Sequence, residues 1–572
     1  MASNPVHPLR SKARVLLVSV FGPYAQDDAY GSRLINPMEL YHNQVTRVQQ
    51  GFSLRTFNRS WGLMLIQANI AAPCTLLDFP TEQRFVDELI RHSYDVIGIS
   101  SIMTNLLKVR RMCKLIRKHQ PDAAIVVGGH IANFAALPKY ADVDYVAQGD
   151  GVRWMRRFLG EDEEQLIRHP VVRANIGSRI MGISLRDHPG DACATLIPSV
   201  GCPMGCNFCS TSALFGGKGK SIPFYRTGDE LYEIMCGLES ALRVNAFFVM
   251  DENFLLDKKR ALHLLKLMEE GNKSWSLYVF SSANVLRSYS MEQLVGLGVS
   301  WVWLGLEGRN SQYAKLAGVN THELVRDLHR HGIRVLGSSI IGLEHHAPEN
   351  IDEAIDDAVS HAADFHQFML YTPIPGTALF AELESRDTLK SLADVSIADI
   401  HGQLVFNYRH PHINEGQETE FLLRAFHRDF EVNGPSVLRI VRTTLQAWKR
   451  YRQHADPRIR ARFSHEATNL PVRYAGVLWA LQRYFRDDSQ RAAEIGGLLK
   501  ELYAECGWRS RLAAPMAGRY LYASLRRQNR LLEAGWTYEP PTFYETNHDK
   551  GPHDAVRIRT VSARNGKNLT DA

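Results

Sequence analysis

Of the eight cysteines in this 572-residue chain, at 74, 113, 193, 202, 206, 209, 236 and 506, only three lie close together, in the segment VGCPMGCNFCS. Cys202, Cys206 and Cys209 are separated by three residues and then two, a spacing that can bring three thiolates to one metal centre. A closed structural zinc or iron-sulfur site takes four protein ligands, so three leave one metal position open to another molecule. A zinc ion completed by a distant histidine is the alternative, and the surrounding sequence fits a cluster better. The five other cysteines are isolated in a large chain with no export signal. That is the usage of reduced, buried thiols and not of a disulfide framework.

The elements that must hold the loop are legible on both sides of it. RVLLVSV (14–20), PCTLLDF (73–79), YDVIGIS (94–100), AAIVVGG (123–129) and VDYVAQG (143–149) are short, almost continuous apolar runs, the pattern of strands buried on both faces of a parallel sheet. TNLLKVRRMCKLIRKH (104–119) has the helical periodicity of a segment covering such a sheet. Alternation restarts with TLIPSV, AFFVMD, LYVFSS, VSWVWLGLE, GIRVLGSSIIG and FHQFMLYTP, six strand-like runs separated by helix-like stretches, which predict a partial parallel barrel. After Leu379 the strand signal fades, and 415–535 is helically periodic. The predicted fold class is α/β: a doubly wound parallel-sheet domain (1–160), a linker (161–190), a partial (β/α)6 barrel (191–390), an all-helical unit (391–546) and a disordered polar tail (547–572).

The cysteine spacing, its place directly after the first barrel strand and the six-unit barrel resemble the radical S-adenosylmethionine (SAM) superfamily. The resemblance implies a four-iron, four-sulfur cluster on the three cysteines, whose open iron chelates the methionyl amine and carboxylate of SAM. It also implies reductive cleavage of SAM to a 5'-deoxyadenosyl radical, with electrons from a donor such as flavodoxin or ferredoxin. Residues matching the superfamily's SAM contacts are Phe208 before the last cysteine, Asp251 and Glu252 in MDENF, and Ser281, Ser282 and Asn284 in FSSAN. Glu307 and Arg309 in GLEGRN follow the fourth strand, and Ile340, Ile341, Gly342 and Leu343 stand where adenine would be cradled. A doubly wound domain ahead of such a barrel resembles the cobalamin-binding domain of one subgroup, on WGLMLIQANI, DVIGISSIMTN, VVGGHIANF and VDYVAQGDG. Small residues at strand ends would let the nucleotide tail in: Gly128, Gly129 and Gly149 permit close approach, Ser100, Ser101 and Thr104 can hydrogen-bond, and His130 is a conceivable contact. The Asp-x-His-x-x-Gly pattern that supplies an axial histidine is absent from this domain, which leaves open a domain that binds no corrin. No Gly-x-Gly-x-x-Gly follows the first strand, so a nicotinamide domain is excluded. A methylthiotransferase would carry three further cluster cysteines near the N-terminus, where only Cys74 and Cys113 occur.

Composition narrows the setting. With 45% hydrophobic and 22% charged residues the chain is that of a folded enzyme, and a net charge of +6 from 67 basic and 61 acidic residues does not argue for nucleic acid. No apolar run reaches the roughly 18 to 20 residues of a membrane span, and the polar start has no signal-peptide core, so the expected location is cytoplasmic. The segment 439–462 is locally basic, with Arg439, Arg442, Lys449, Arg450, Arg452, Arg458, Arg460 and Arg462 against Asp456 alone. It is read either as a solvated helix face or as a contact for an anionic substrate or a lipid surface, with peripheral association at the inner membrane. The expected function is cobalamin-dependent methylation of an unactivated carbon in a lipid-like or natural-product precursor. The alternative is a radical enzyme performing cyclisation, coupling or rearrangement with the first domain empty or non-methylating. A cobalamin-binding sensor would need no cluster.

Overall fold

The continuous apolar runs become the centre of the first domain. The computed structural model describes residues 5–20, 30, 48–52, 54–174, 176–184, 192–307, 316, 318–534, 543–546 and 559–560. β1 (Val15–Ser19), β2 (Cys74–Asp78), β3 (Val96–Ser100), β4 (Ala124–Gly128) and β5 (Tyr145–Val146) form a parallel sheet in the order β2-β1-β3-β4-β5, with Val15 opposite both Cys74 and Val96. All five residues of β1 and of β2 are buried, as strands covered on both faces must be. The order reverses between β1 and β3, so the crevice of a doubly wound fold opens beyond Ser100.

The barrel strands are β6 (Cys193–Leu196), β7 (Ala246–Val249), β8 (Ser276–Ser281), β9 (Val299–Glu307), β10 (Arg334–Ile341) and β11 (Phe365–Leu370). They pair in chain order, all parallel, and the sheet ends on an antiparallel strand at Arg173–Ala174 and does not close on β11. The segment 161–190, read as a linker, is more structured than that. Ile176–Ile180 and Ile183–Ser184 join Arg55–Phe57 in a small antiparallel sheet.

The all-helical reading of 391–546 needs one correction. Phe543–Thr546 forms β12, an antiparallel edge strand on β2 of the first domain. Phe543 and Glu545 point inward, where Glu545 meets Arg59 at 2.7 Å, Arg59 meets Asp78 at 3.2 Å, and the Arg59 guanidinium lies over the Phe543 ring. A four-residue strand is too short to show periodicity, so pairing alone reveals it. The predicted tail, 547–572, lies outside the described residues except Arg559–Thr560, which pairs with β12.

The basic segment is also corrected. It falls on two helices, Ser436–Tyr451 and Pro457–Glu466, and its cations meet partners within the molecule. Arg439 is buried against Asp429 at 2.7 Å, Lys449 meets Glu501 at 2.6 Å, and Arg442 and Arg452 pair with Glu494 and Glu505. Arg462 and Arg334 share Glu466, each at 3.1 Å, at the foot of the barrel. The carboxylates facing Arg439, Arg442, Lys449 and Arg452 come from other elements, so a linear count of charge made the segment look unpaired. The row is an internal seam and gives no support to a lipid surface at 439–462.

Candidate functional site

Three thiols between a strand end and a helix need a loop that folds back on itself, and the local sequence supplies it. Cys209 is the N-cap of a short helix (Ser210–Leu214), its Sγ accepting from Ser212 N–H at 3.4 Å, and its own N–H donates to Cys206 O at 3.0 Å. Ser212 Oγ donates to Cys202 O at 3.0 Å, which ties the first cysteine to the same helix. Gly205 turns the loop at φ +66°, where an added Cβ would lie 2.6 Å from Lys218 Cα. Burial pushes the Cys202 thiol up to about 11, and the negative charge of Cys209, Cys206 and Glu252 adds to the shift. Metal binding would have to displace that proton. Among the described residues the set of three ligand atoms within 4.8 Å of one another is His322, Asp357 and His361, and the cysteines are not such a set. A single tetrahedral zinc would hold three sulfurs about 3.8 Å apart. The loop suits a larger, multi-metal group.

A continuous cavity of about 1730 Å³ connects this loop to both neighbouring domains. Its upper wall is the sheet end of the first domain, with Ser100, Gly128, Gly129, His130 and Gly149. Cys209, Thr211 and Glu252 follow, then the barrel interior, then residues of the helical unit. Ligand pockets usually hold about 300 to 1000 Å³, so this volume has room for more than one small molecule. The two domains are locked in register where Asn133 Nδ2 donates to Ser210 O at 3.1 Å and where Gly376, at φ +88°, lets Asn133 approach too closely for any side chain.

Several predicted positions converge on the cavity. Gly129, at φ +82°, brings the chain so close to β3 that a Cβ would sit 2.6 Å from Ser101 O. At Gly128 a Cβ would meet only Ala147, at ordinary contact distance of 3.5 Å, and at Gly149 the nearest atom is 3.9 Å away. These small residues leave room that a flat ligand could fill. His130 presents a buried Nδ1 without a hydrogen-bond partner, and desolvation lowers its pKa. Ser101 and Thr104 are buried beside the cavity and do not line it. Ser101 Oγ is spent on Ile102 O at 3.1 Å, whereas Thr104 Oγ1 has no partner.

The two carboxylates of MDENF diverge. Asp251 accepts from Arg260 at 3.0 Å, Ser199 Oγ at 2.6 Å and Asn253 N–H at 3.1 Å, so its oxygens are engaged. Glu252 keeps a buried Oε2 with no partner on the cavity wall, and burial raises its carboxyl to about 7, with Asp251 adding repulsion. Beyond β8, Ser281, Asn253, Ser282 and Asn284 form one hydrogen-bonded chain with links of 3.2, 3.2 and 2.8 Å, of which Ser281 reaches the cavity. Glu307 ends β9 at φ +53°, immediately after a register shift against β10, and its side chain faces the cavity. A bulge that re-aims a side chain at such backbone strain is characteristic of functional sites. Arg309 lies outside the described residues. Ile340, Ile341, Gly342 and Leu343 do not line the cavity. Gly342, at φ +81°, is covered by Phe406, whose ring would be 2.2 Å from a Cβ there, and the segment packs into the core beneath it. Phe208 packs edge-on against Tyr371, with ring centroids 6.0 Å apart.

The sequence reading passed over the barrel's inner wall. Tyr278, Phe280, Trp301 and Trp303 alternate along β8 and β9 and form a contiguous aromatic face, with Phe280 and Trp303 stacked at 5.1 Å and Tyr278 and Trp301 tilted against each other at 5.9 Å. Period-two spacing in LYVF and WVW was the available signal, since alternate strand residues face one side.

Comparisons with known proteins agree with the two-part site. The B12 binding domain family model matches residues 62–159, and the Radical SAM superfamily model matches residues 196–358. The chain is similar to the bacteriochlorophyllide d C-12(1)-methyltransferase of Chlorobaculum tepidum, 28% identical over 200 residues, covering 33% of this chain and 42% of that protein. It is similar to the hopanoid C-2 methylase of Rhodopseudomonas palustris, 25% identical over 379 residues, covering 59% of this chain and 69% of that protein. The match thus spans less than half of the first relative's length. Among solved structures, the radical S-adenosylmethionine methyltransferase TsrM of Kitasatospora setae, with cobalamin and a [4Fe-4S] cluster bound, aligns with TM-score 0.48 and 15% identity over 79% of this chain and 98% of that chain.

Proposed function

The chain belongs to the radical SAM superfamily and carries a B12-binding domain ahead of its barrel, and from that premise we propose that it methylates an unactivated carbon of an apolar, lipid-like or natural-product substrate. One observation carries the reading: the single cavity that joins the Gly128–Gly129 cleft, the cysteine loop and the aromatic barrel wall. The cofactors that accompany the two domains are a 4Fe-4S cluster, SAM and cobalamin; when bound, they supply radical hydrogen abstraction and a transferable methyl group.

The residues divide this work. Cys202, Cys206 and Cys209 would hold the cluster, and the loop's internal hydrogen bonds would keep it in place without borrowing donors from substrate. Glu252, with its free oxygen, is the group that would accept a hydrogen bond from the methionyl amine. Burial makes ionising it costly, and a polarised N–H donor held against it would offset part of that cost. Glu307 and Ser281 would take the polar rim of the same molecule. Gly128, Gly129 and Gly149 would admit the corrin, and His130 Nδ1 would find a partner on it. The aromatic face of β8 and β9 would hold an apolar substrate and exclude water and competing hydrogen donors. A donor such as flavodoxin or ferredoxin would supply electrons.

Anoxically purified protein should contain about four irons and one corrin per chain. With SAM labelled in its methyl group, a reductant and a cellular lipid extract, it should yield 5'-deoxyadenosine and label in an apolar product. A cluster with deoxyadenosine but no corrin and no transferred label would replace this reading with non-methylating radical chemistry.

A further inference from the structure

The last long helix, Trp508–Glu533, has two apolar faces where a surface helix has one. Ser510, Ala514, Gly518, Leu521 and Leu525 are buried. This face packs on the helix Ala475–Tyr484, close enough that a Cβ at Gly518 would touch Trp479 at 2.5 Å. Trp508, Leu512, Met516 and Tyr520 form the second face at four-residue intervals and are 68%, 64%, 72% and 67% exposed. At about 100° per residue the two sets centre about 180° apart, so none of these four can turn inward without unpacking the other face. Four large apolar side chains in a row, left in water, mark an interaction surface.

Charge says what the surface meets. From Trp508 to Leu532 the helix carries Arg509, Arg511, Arg519, Arg526, Arg527 and Arg530 and no Asp or Glu. All but Arg511 fall within about 60° of the centre of the exposed stripe. All are exposed, and none pairs with a carboxylate among the described residues. This contrasts with the row at 439–452, whose ion pairs are internal. A second copy of this chain docked face to face would set one cationic helix against another, which disfavours a symmetric dimer. An anionic bilayer answers both features: Trp, Leu and Met enter the acyl boundary while arginines reach the phosphates.

Position says what the contact is for. Tyr520 lines the cavity together with Ala517, Leu521 and Val472, and Val472 is 48% exposed, so the cavity reaches the surface on this side of the molecule. We propose that the Trp508–Tyr520 face docks the protein on an anionic lipid surface, with the cavity rim at Val472 and Tyr520 facing the bilayer. An apolar chain could then pass from the membrane into the aromatic barrel without crossing water. Entry of substrate rests on the methylation reading; the docking does not, and it is read without turnover.

Full-length protein is mixed with vesicles of phosphatidylglycerol and phosphatidylcholine in equal parts, or of phosphatidylcholine alone, and floated on a density gradient at low and high salt. The expected result is at least about tenfold stronger flotation with the anionic vesicles, weakened by salt, since each arginine near such a surface is worth about fivefold. Leu512→Asp with Met516→Asp, and separately Arg519→Glu with Arg526→Glu and Arg527→Glu, should each abolish most of it while the unfolding midpoint stays within a degree or two. Absence of wild-type flotation, or flotation equal in either variant, overturns the proposal. So does a wild-type dimer in sedimentation velocity that the Leu512, Met516 variant converts to monomer, which would assign the face to a second copy. A chain that floats but lacks corrin or deoxyadenosine formation leaves the docking intact and removes the methylation reading instead.

Discussion

Asp251 and Glu252 are adjacent in sequence, and their neutral amide variants should move stability in opposite directions. Asp251 is buried with Arg260 at 3.0 Å, and both side chains are almost fully covered. Asp251→Asn keeps the shape, removes the counter-charge and strands a buried guanidinium, which costs about 3 to 5 kcal/mol. Glu252 is the reverse case. Its carboxyl is raised from 4.5 to about 7 by burial. The unfolded chain therefore loses this proton near pH 4.5 while the folded apoprotein keeps it until about 7. Stability contributed by the group falls as pH rises through that window and stays low above it. At pH 8 the charged, unpaired carboxylate penalises the fold by at most about 3 kcal/mol, and Glu252→Gln should recover part of this. Below about pH 4.5 the variant and the wild type should coincide. Urea denaturation of the apoprotein at pH 4.5 and pH 8 reads both effects, and equilibrium dialysis of SAM into cluster-loaded protein reads function. There Glu252→Gln should weaken binding, and the wild-type affinity should rise with pH through 7. A Glu252→Gln protein destabilised by several kcal/mol at pH 8, or an Asp251→Asn protein as stable as wild type, would refute the division of labour between the two carboxylates.

The glycines of the first domain should also separate. Gly128→Leu fills open cavity, so hydroxocobalamin titration should show weakened binding at nearly unchanged melting temperature. Gly129→Ala should lose stability as well, by about 1 to 3 kcal/mol for a positive-φ, extended-ψ backbone that is essentially confined to glycine, plus the clash with Ser101 O. Equal behaviour of the two variants would contradict the cleft geometry. Replacing Cys202, Cys206 and Cys209 together by Ala should abolish iron binding and the cluster absorbance, whereas Ala at Cys74, Cys113 and Cys506 should leave the iron count unchanged. Glu545→Ala removes a partner of the buried Arg59 and should cost about 3 kcal/mol by thermal or chemical denaturation. A neutral effect would mean that β12 is not held as described.

Local sequence determined the kind of structure at most positions. Short apolar runs with no polar alternation, such as RVLLVSV and AAIVVGG, bounded by turn residues, fit strands buried on both faces, whereas the order in which such strands pair, sequential in the barrel and reversed at β1 in the first domain, was set by packing. The cysteine spacing marked three candidate metal ligands, and the family resemblance built on it implied the cluster. Tertiary structure decided what depends on partners distant along the chain. Whether Arg439 is a free cation or a buried one depends on Asp429, and whether Leu512 is core or surface depends on which face of its helix sets Gly518 against Trp479 and Ala517 against Gly476. The same holds for Asp251 and Glu252, indistinguishable as adjacent acids until Arg260 and Ser199 reach one of them and leave the other open to the cavity. Charge and hydrophobicity are properties of residues. Pairing and burial are properties of the space around them, and that space exists only once the chain has folded.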